Sequence, residues 1–380
     1  MTPSHRLVSI DFLRGCAALG VVLTHSLHGG QTDFSTPTRL YFWFDAIVSQ
    51  GVLGVPLFFV ISGFCIHQRW AKQYAVSNRT ELDFFAFWRR RMRRLYPPYV
   101  IVLCIGMAFV VAGYLLLGRA GFYPEPRARW IAIDFVAHLL MLHGFHPLLD
   151  AGGNNPQMWT LAREEYFYIM YFPLLAWRRA LSLAGAVACV LILGLAFPFM
   201  MRFILPEASN WWTLINYSAP VLWIQWCLGM VAVEAYYDII KLPRWCRVLW
   251  MVFIWFIAFK ISVIYFQPLS TFCIGMTFFT LLNYCVTLER NQRWRNYRLV
   301  IWLANVGLFS YSLYLIHYLV IDLLTRLTGV VALPADIWRS VVGMAIKTAA
   351  CIYIAKLFFN QVERHFLNSK ANFRTSKVVE

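Results

Sequence analysis

Apolar runs of about twenty residues recur along the chain, separated by short polar, basic or proline-bearing stretches. A helix rises about 1.5 Å per residue, so each run is long enough to cross about 30 Å of hydrocarbon. The clear runs cover residues 7–27, 52–70, 96–117, 158–177, 180–203, 214–236, 299–324 and 338–359. The stretch 248–287 would measure about 60 Å as one helix and must fold back, most simply at Gln267-Pro268, where proline breaks the ladder. The pattern therefore predicts an all-α, polytopic membrane helix bundle of about ten transmembrane helices. One further piece, 130–146, is short and carries Asp134, His138, His143 and His146.

Composition agrees with this reading. Of 380 residues 60% are hydrophobic and 14% charged, which excludes an ordinary soluble domain, about a quarter charged. The formal charge of +16 would suggest nucleic acid in a soluble protein, but the basic residues lie between apolar spans, as orientation signals do. With ten spans and an inside N-terminus, 22 of the 34 basic residues fall inside and five (Arg39, Arg119, Arg127, Arg129 and Arg326) outside. An eleventh crossing at 130–146 would send the 13 inside residues from Arg178 onward to the outer side. The segment is therefore expected to be re-entrant or interfacial on the outer side, where its histidines meet water, with both termini cytoplasmic. Residues 1–367 form one transmembrane domain and 368–380 a frayed basic cytoplasmic tail. The nine cysteines lie in or beside apolar spans with no C-x-x-C pair, so they are small hydrophobes and no metal site or disulfide frame is expected. The N-terminal span has no small-residue cleavage site and is expected to be a retained anchor.

Polar residues inside the spans carry the candidate chemistry. Arg14 and His25 are eleven positions apart, which returns them to one helix face about 16 Å apart along the axis. Asp11, one turn before Arg14, can neutralise it. On the run Trp159-Thr160-Leu161-Ala162-Arg163-Glu164-Glu165-Tyr166-Phe167-Tyr168, two carboxylates enter about two turns from the outer surface, at a depth comparable to His25. A histidine and a glutamate at one level, with a basic face on the other side, suit proton or acyl transfer. The plainer alternatives are a satisfied interhelical His25 with a snorkelling Arg14, and an aromatic belt in which Arg163 and a glutamate pair locally.

The ordered motifs resemble the acyltransferase 3 family of integral membrane acyltransferases over most of the chain. Ile10-Asp11-Phe12-Leu13-Arg14-Gly15 through His25 resembles its D-x-L-R-G opening with Arg-x10-His, and Gly54 to Phe64 its second-span G-V-x-x-F-F-x-x-S-G-F. Arg90-Arg91-Met92-Arg93-Arg94-Leu95-Tyr96-Pro97 is similar to its basic approach to the third span. Trp159 to Tyr168 resembles W-S-L-x-x-E-x-x-F-Y with Thr160 for Ser. Ser310 to His317 resembles Y-S-x-Y-L-x-H, and Glu363-Arg364 the terminal E-R/K-P-F. Departures are Leu319 and His365, where the family often has Pro, and Pro173, one residue late; they concern helix bends rather than the first-span pair.

The resemblance implies transfer of an acyl group, most often acetyl from acetyl-CoA, to hydroxyls of cell-surface glycans, lipid-linked sugars or similar acceptors, in a bacterial cytoplasmic (inner) membrane. Arg90, Arg91, Arg93 and Arg94 would meet the CoA phosphates, or equally serve as a stop signal on anionic lipid. Arg14 would steady the donor arm, and His25 would act as general base or accept the acyl group itself. Glu164 would orient His25 or stabilise its imidazolium, with Glu165 and Tyr168 as neighbours. Ser62 reads more readily as a packing residue than as a nucleophile. His317, Tyr314 and Ser310 form a polar strip facing the same cavity or an interhelical hydrogen-bond cluster. No metal and no nucleic acid are implied, and association into oligomers stays open. The alternative is a proton-coupled transporter or flippase of a glycan precursor relaying protons through the same His and Glu, which would give counterflow without acyl-CoA consumption. On the acyltransferase reading, His25→Ala lowers acyl transfer by about 10²–10⁴-fold in a labelled-acetyl assay on membranes.

Overall fold

The computed structural model describes residues 6–29, 39–78, 82–117, 127–150, 155–205, 209–295, 297–327 and 337–367. The tail expected over 368–380 lies outside the described residues, as do Arg79, Arg119 and parts of the outer loops. In chain order the helices are α1 (Val8–His28), α2 (Arg39–Val48), α3 (Gly54–Ser77), α4 (Phe84–Leu117), α5 (Arg127–Leu139), the single turn α6 (Pro147–Asp150), and α7 (Trp159–Met201). They continue with α8 (Ser209–Asn216), α9 (Ala219–Tyr236), α10 (Leu249–Tyr265), α11 (Gln267–Arg290), α12 (Arg298–Leu308), α13 (Ser310–Leu327), α14 (Ile337–Phe358) and α15 (Arg364–Phe366). No strand occurs among the described residues. Helices satisfy their backbone groups within the segment, which hydrocarbon demands.

By length and composition, seven helical stretches are apolar enough to cross a membrane, or eight when α12 and α13 are joined as one bent span. Two further crossings follow from geometry. The 43-residue α7 is broken at Ser182 (φ 74°, ψ 169°), and α9 measures its course. The Nε of Arg163 donates to the carbonyl of Tyr217, just before α9. Arg178 binds Glu234 at the far end of α9, and Gly194 lies again against Pro220 at its start. The chain thus runs down α9 and back, as the separate spans 158–177 and 180–203 predict. The 17-residue apolar α10 is the other crossing, and the reversal after it falls at Phe266, whose extended backbone precedes Pro268.

The structure departs from the sequence pattern in two places. The span expected over 299–324 is two helices meeting at 78°. Close packing marks the end of α12: a Cβ on Gly307 would lie 1.9 Å from the carbonyl oxygen of Asp11, and one on Gly15 would lie 2.0 Å from that of Leu303, so α12 presses backbone to backbone on α1. After Phe309 the chain swings away as α13 and carries Tyr314 and His317 inward. The second departure concerns 130–146. The end of α5 meets α4, where the hydroxyls of Tyr96 and Tyr99 donate to the carbonyls of Leu139 and His138. Thirteen residues make about 20 Å of helix, so α5 turns back before completing a crossing, in keeping with a re-entrant segment. Two of its histidines do not meet water, however, while His146 is half-buried. His138 and His143 are fully buried and stack at 3.9 Å between ring centroids, with Asp134 3.0 Å from His138, because lining the core against α4 and α7 removes them from solvent.

A buried ion cluster fastens the end of the bundle at which Arg6, Arg91, Arg178 and Arg290 gather, the basic end. Glu234 accepts two hydrogen bonds from Arg178 at 2.6 and 2.7 Å. His67 Nε2–H donates to the same carboxylate at 3.0 Å, and the Tyr171 hydroxyl donates to His67 Nδ1 at 2.8 Å. The guanidinium of Arg178 also covers the rings of Trp70 and Tyr74. The cluster ties α3, α7 and α9 where α7 reverses. Removing one partner of such a pair leaves an uncompensated buried charge, so Glu234→Ala is expected to destabilise the bundle by about 3–5 kcal/mol, read as a fall in melting temperature in detergent.

Candidate active site

Between α1, α3, α4, α7 and the α12–α13 bend lies a cavity of about 140 Å³. It opens among residues of the basic end and reaches toward the middle of the bundle. Arg14, Arg91 and Arg94 line it from two helices, and Glu164 and Glu363 from two others. Of the arginines expected together, the i, i+3 pair Arg91 and Arg94 shares this face. Arg90 and Arg93 are not in the lining, and Arg93 is exposed.

Local contacts fix each group. Asp11 lies 3.6 Å from Arg14 Nη1 and also binds Arg6, so the first-span arginine is neutralised from its own helix. Arg14 Nη2 donates to the sulfur of Cys65 at 3.4 Å. The Nε of Arg94 is buried and has no hydrogen-bond partner. Glu164 Oε1 accepts from the Ser62 hydroxyl at 2.6 Å and from Tyr168 at 2.5 Å. Glu165, its neighbour, is buried and absent from the lining. Glu363 had no assigned role from sequence, although it opens the terminal Glu-Arg motif. It sits in a π-helical turn (Phe359–Glu363), which rotates it inward to accept from the backbone N–H and the hydroxyl of Ser312, at 3.1 and 2.5 Å.

His25 stands apart from the cavity, at the other side of a thin polar layer. Its Nδ1 lies 2.9 Å from the carbonyl of Val21, so in the neutral ring Nδ1 carries the hydrogen and Nε2 the lone pair. The amide Nε2 of Gln157 lies 2.9 Å from that lone pair. The direct pairing of Glu164 with His25 expected from comparable depth is not formed; each has other partners. Depth along a helix does not set azimuth, and Glu164 faces Ser62 on α3. Between cavity and imidazole, Tyr314 and Thr160 hydrogen-bond at 2.8 Å, and the Tyr314 hydroxyl reaches the Gln157 carbonyl at 3.3 Å. His317 lies beside His25, ring centroids 5.2 Å apart, with Nδ1 on the Tyr314 carbonyl and a buried Nε2 without a partner. No cluster of three or more His, Cys, Asp or Glu side chains that could hold a metal occurs among the described residues.

Comparison with known proteins bears on this arrangement. The sequence profile of the acyltransferase domain (Acyl_transf_3) matches residues 7–356. The chain belongs to the acyltransferase 3 family. Its apolar helices fit a multi-pass membrane member of that family. Among its relatives, acyltransferase MdmB of Streptomyces mycarofaciens is 28% identical over 241 residues, which are 60% of this chain and 56% of MdmB. O-acetyltransferase OatA of Staphylococcus aureus (strain NCTC 8325 / PS 47) is 29% identical over 175 residues, 44% of this chain and 24% of OatA. A putative peptidoglycan O-acetyltransferase of Bacillus subtilis, YrhL, is 29% identical over 180 residues, 45% of this chain and 24% of its own length. The matches therefore span about half of MdmB and about a quarter of the other two. No solved structure matches the chain.

A nucleophilic and a supporting role for Ser62 can be told apart by substitution. If its hydroxyl only supports Glu164, Ser62→Ala costs about 1 kcal/mol of stability and leaves acyl transfer within about tenfold, because Tyr168 still holds the carboxylate. Thermal unfolding and labelled-acetyl transfer measure the two effects.

Proposed function

We propose that the protein transfers an acyl group, most simply acetyl, from cytoplasmic acyl-CoA to a hydroxyl of a cell-surface glycan or lipid-linked sugar, in the cytoplasmic membrane of a bacterium. The observation that carries the proposal is the meeting of Arg14, Arg91 and Arg94 around one cavity at the basic end, with a buried Arg94 Nε still unbonded. Guanidinium groups bind phosphate through paired N–H donors, and the positive-inside rule assigns this end to the side where acyl-CoA is made. The relatives OatA, an O-acetyltransferase, and YrhL, a peptidoglycan O-acetyltransferase by name, favour acetyl and a carbohydrate acceptor.

In this reading Arg91 and Arg94 hold the CoA phosphates, and Arg14, balanced by Asp11, steadies the arm deeper in the cavity. The thioester reaches the Tyr314–Thr160 layer, and the acceptor approaches from the other side. His25 Nε2 takes the proton of the acceptor hydroxyl as that oxygen attacks the thioester carbon. The carbon–sulfur bond breaks, and the departing CoA thiolate takes the proton from the imidazolium. Glu164, held by Ser62 and Tyr168, supplies negative charge near the arginines without touching His25. Direct transfer and a passing acyl-imidazole use the same groups. For the flippase alternative no observation speaks: the bent pair α12–α13 is the one broken span of its kind among the described residues, where inverted-repeat transporters pair two.

Acetyl-CoA binding to the purified full-length protein tests the donor site. Arg91→Ala and Arg94→Ala are each expected to weaken binding by about tenfold or more, with Arg93→Ala near wild type. Equal effects from all three would reduce the arginines to a membrane-surface charge. Mass spectrometry of glycans and lipid-linked sugars from cells with and without the protein identifies the acceptor by its lost acyl mass.

A further inference from the structure

We infer that Gln157 is a positioning residue for His25: its side-chain amide occupies the Nε2 lone pair in the resting protein, at the place an acceptor hydroxyl must take. The inference rests on the acyl-transfer reading of His25, but its geometry stands independently. Because Nδ1 of His25 is committed to the Val21 carbonyl, Nε2 can only accept in the neutral ring, and the amide at 2.9 Å must donate. An alcohol hydroxyl would offer Nε2 the same kind of hydrogen bond. Substrate binding is then an exchange of one N–H donor for one O–H donor, with the imidazole already in the tautomer and orientation that accepts a proton.

The turn that carries Gln157 (Pro156–Met158) is held by several hydrogen bonds. The buried Asn155 donates its side-chain amide to the Leu315 carbonyl at 2.8 Å. The Gln157 carbonyl accepts from the Thr160 hydroxyl at 3.1 Å, and the Tyr314 hydroxyl, which donates to Thr160, lies 3.3 Å from it. The Met158 carbonyl lies 3.2 Å from His143 Nε2, so the buried histidine stack of the re-entrant segment backs the same turn. These contacts reach α13, the helix that bears His317, and leave the Gln157 side chain as the free end of a rigid support. A glutamine that merely filled space would need none of this.

Two measurements on the full-length protein in lipid test the role. Carbethoxylation by diethyl pyrocarbonate attacks an imidazole lone pair, and peptide mass spectrometry reports each histidine. In Gln157→Ala, His25 is expected to label roughly three- to tenfold faster, the factor for losing one hydrogen bond, while exposed His28 labels at the wild-type rate. In Gln157→Met, which keeps the volume and removes the donor, the ¹⁵N resonance of His25 Nε2 moves while that of Nδ1 stays. Unchanged His25 labelling together with an unmoved Nε2 resonance overturns the inference, as does acceleration at His28 and His25 alike, which signals general loosening. Release of CoA thiol from acetyl-CoA, measured on the same wild-type samples, judges the acyl-transfer reading separately: no thiol release with faster His25 labelling in Gln157→Ala would sink that reading and leave the placement of Gln157 supported.

Discussion

A polar group placed in hydrocarbon has no water to bond with, and this single constraint organises the molecule. Several buried carboxylates hold more than one partner or more than one donor group. Asp11 serves Arg6 and Arg14, Glu234 serves Arg178 and His67, and Glu363 serves Ser312. The Glu234 and Glu363 sets join segments distant in sequence, so satisfying those charges also decides which helices pack together. The apolar surface, which is the same for every lipid-facing helix, carries no such information. Close approach through Gly15 and Gly307 adds the other half: van der Waals contact where lipid gives no hydrophobic drive.

The two buried sets at the basic end differ in what they leave over. Around Glu234 every strong donor finds an acceptor, and the result is a fastening between three helices. Around the cavity the arginines outnumber the carboxylates that line it, and one guanidinium nitrogen stays unbonded. A closed set holds structure, whereas an incomplete one is built to be completed by something that arrives. That difference, rather than depth or burial, separates the candidate donor site from the ion cluster beside it.

The crossings were legible because their signal is local and long: twenty apolar residues with turn chemistry between them. The reversals near Ser182 and Phe266 lie close to where the apolar pattern put them, since a helix of twice the bilayer thickness has no alternative. Sidedness of the arginines on α4 was half legible, because the spacing of Arg91 and Arg94 puts them on one face but does not say which face looks inward. The partners of Glu164 were not legible. Ser62 lies 102 positions away, and a shared depth with His25 is compatible with any rotation of the helix. His67 and Glu234 are 167 positions apart, and nothing in the local pattern around either identifies its partner. The bend at Phe309 lies where α12 presses on α1, with no local proline to announce it.

The Tyr314–Thr160 contact has a meaning for the cell beyond any reaction step. A route that joined the cavity directly to His25 would be a polar channel through the bilayer, and protons would drain through it down the membrane potential, each worth about 2.3 kcal/mol per 100 mV. On the acyl-transfer proposal, the 2.8 Å contact between the two hydroxyls, with the Phe58 ring against Tyr314, stands where such a route would have to be closed. On that proposal the protein is an insulator that lets one small group through, and the thinness of the layer sets how little has to move.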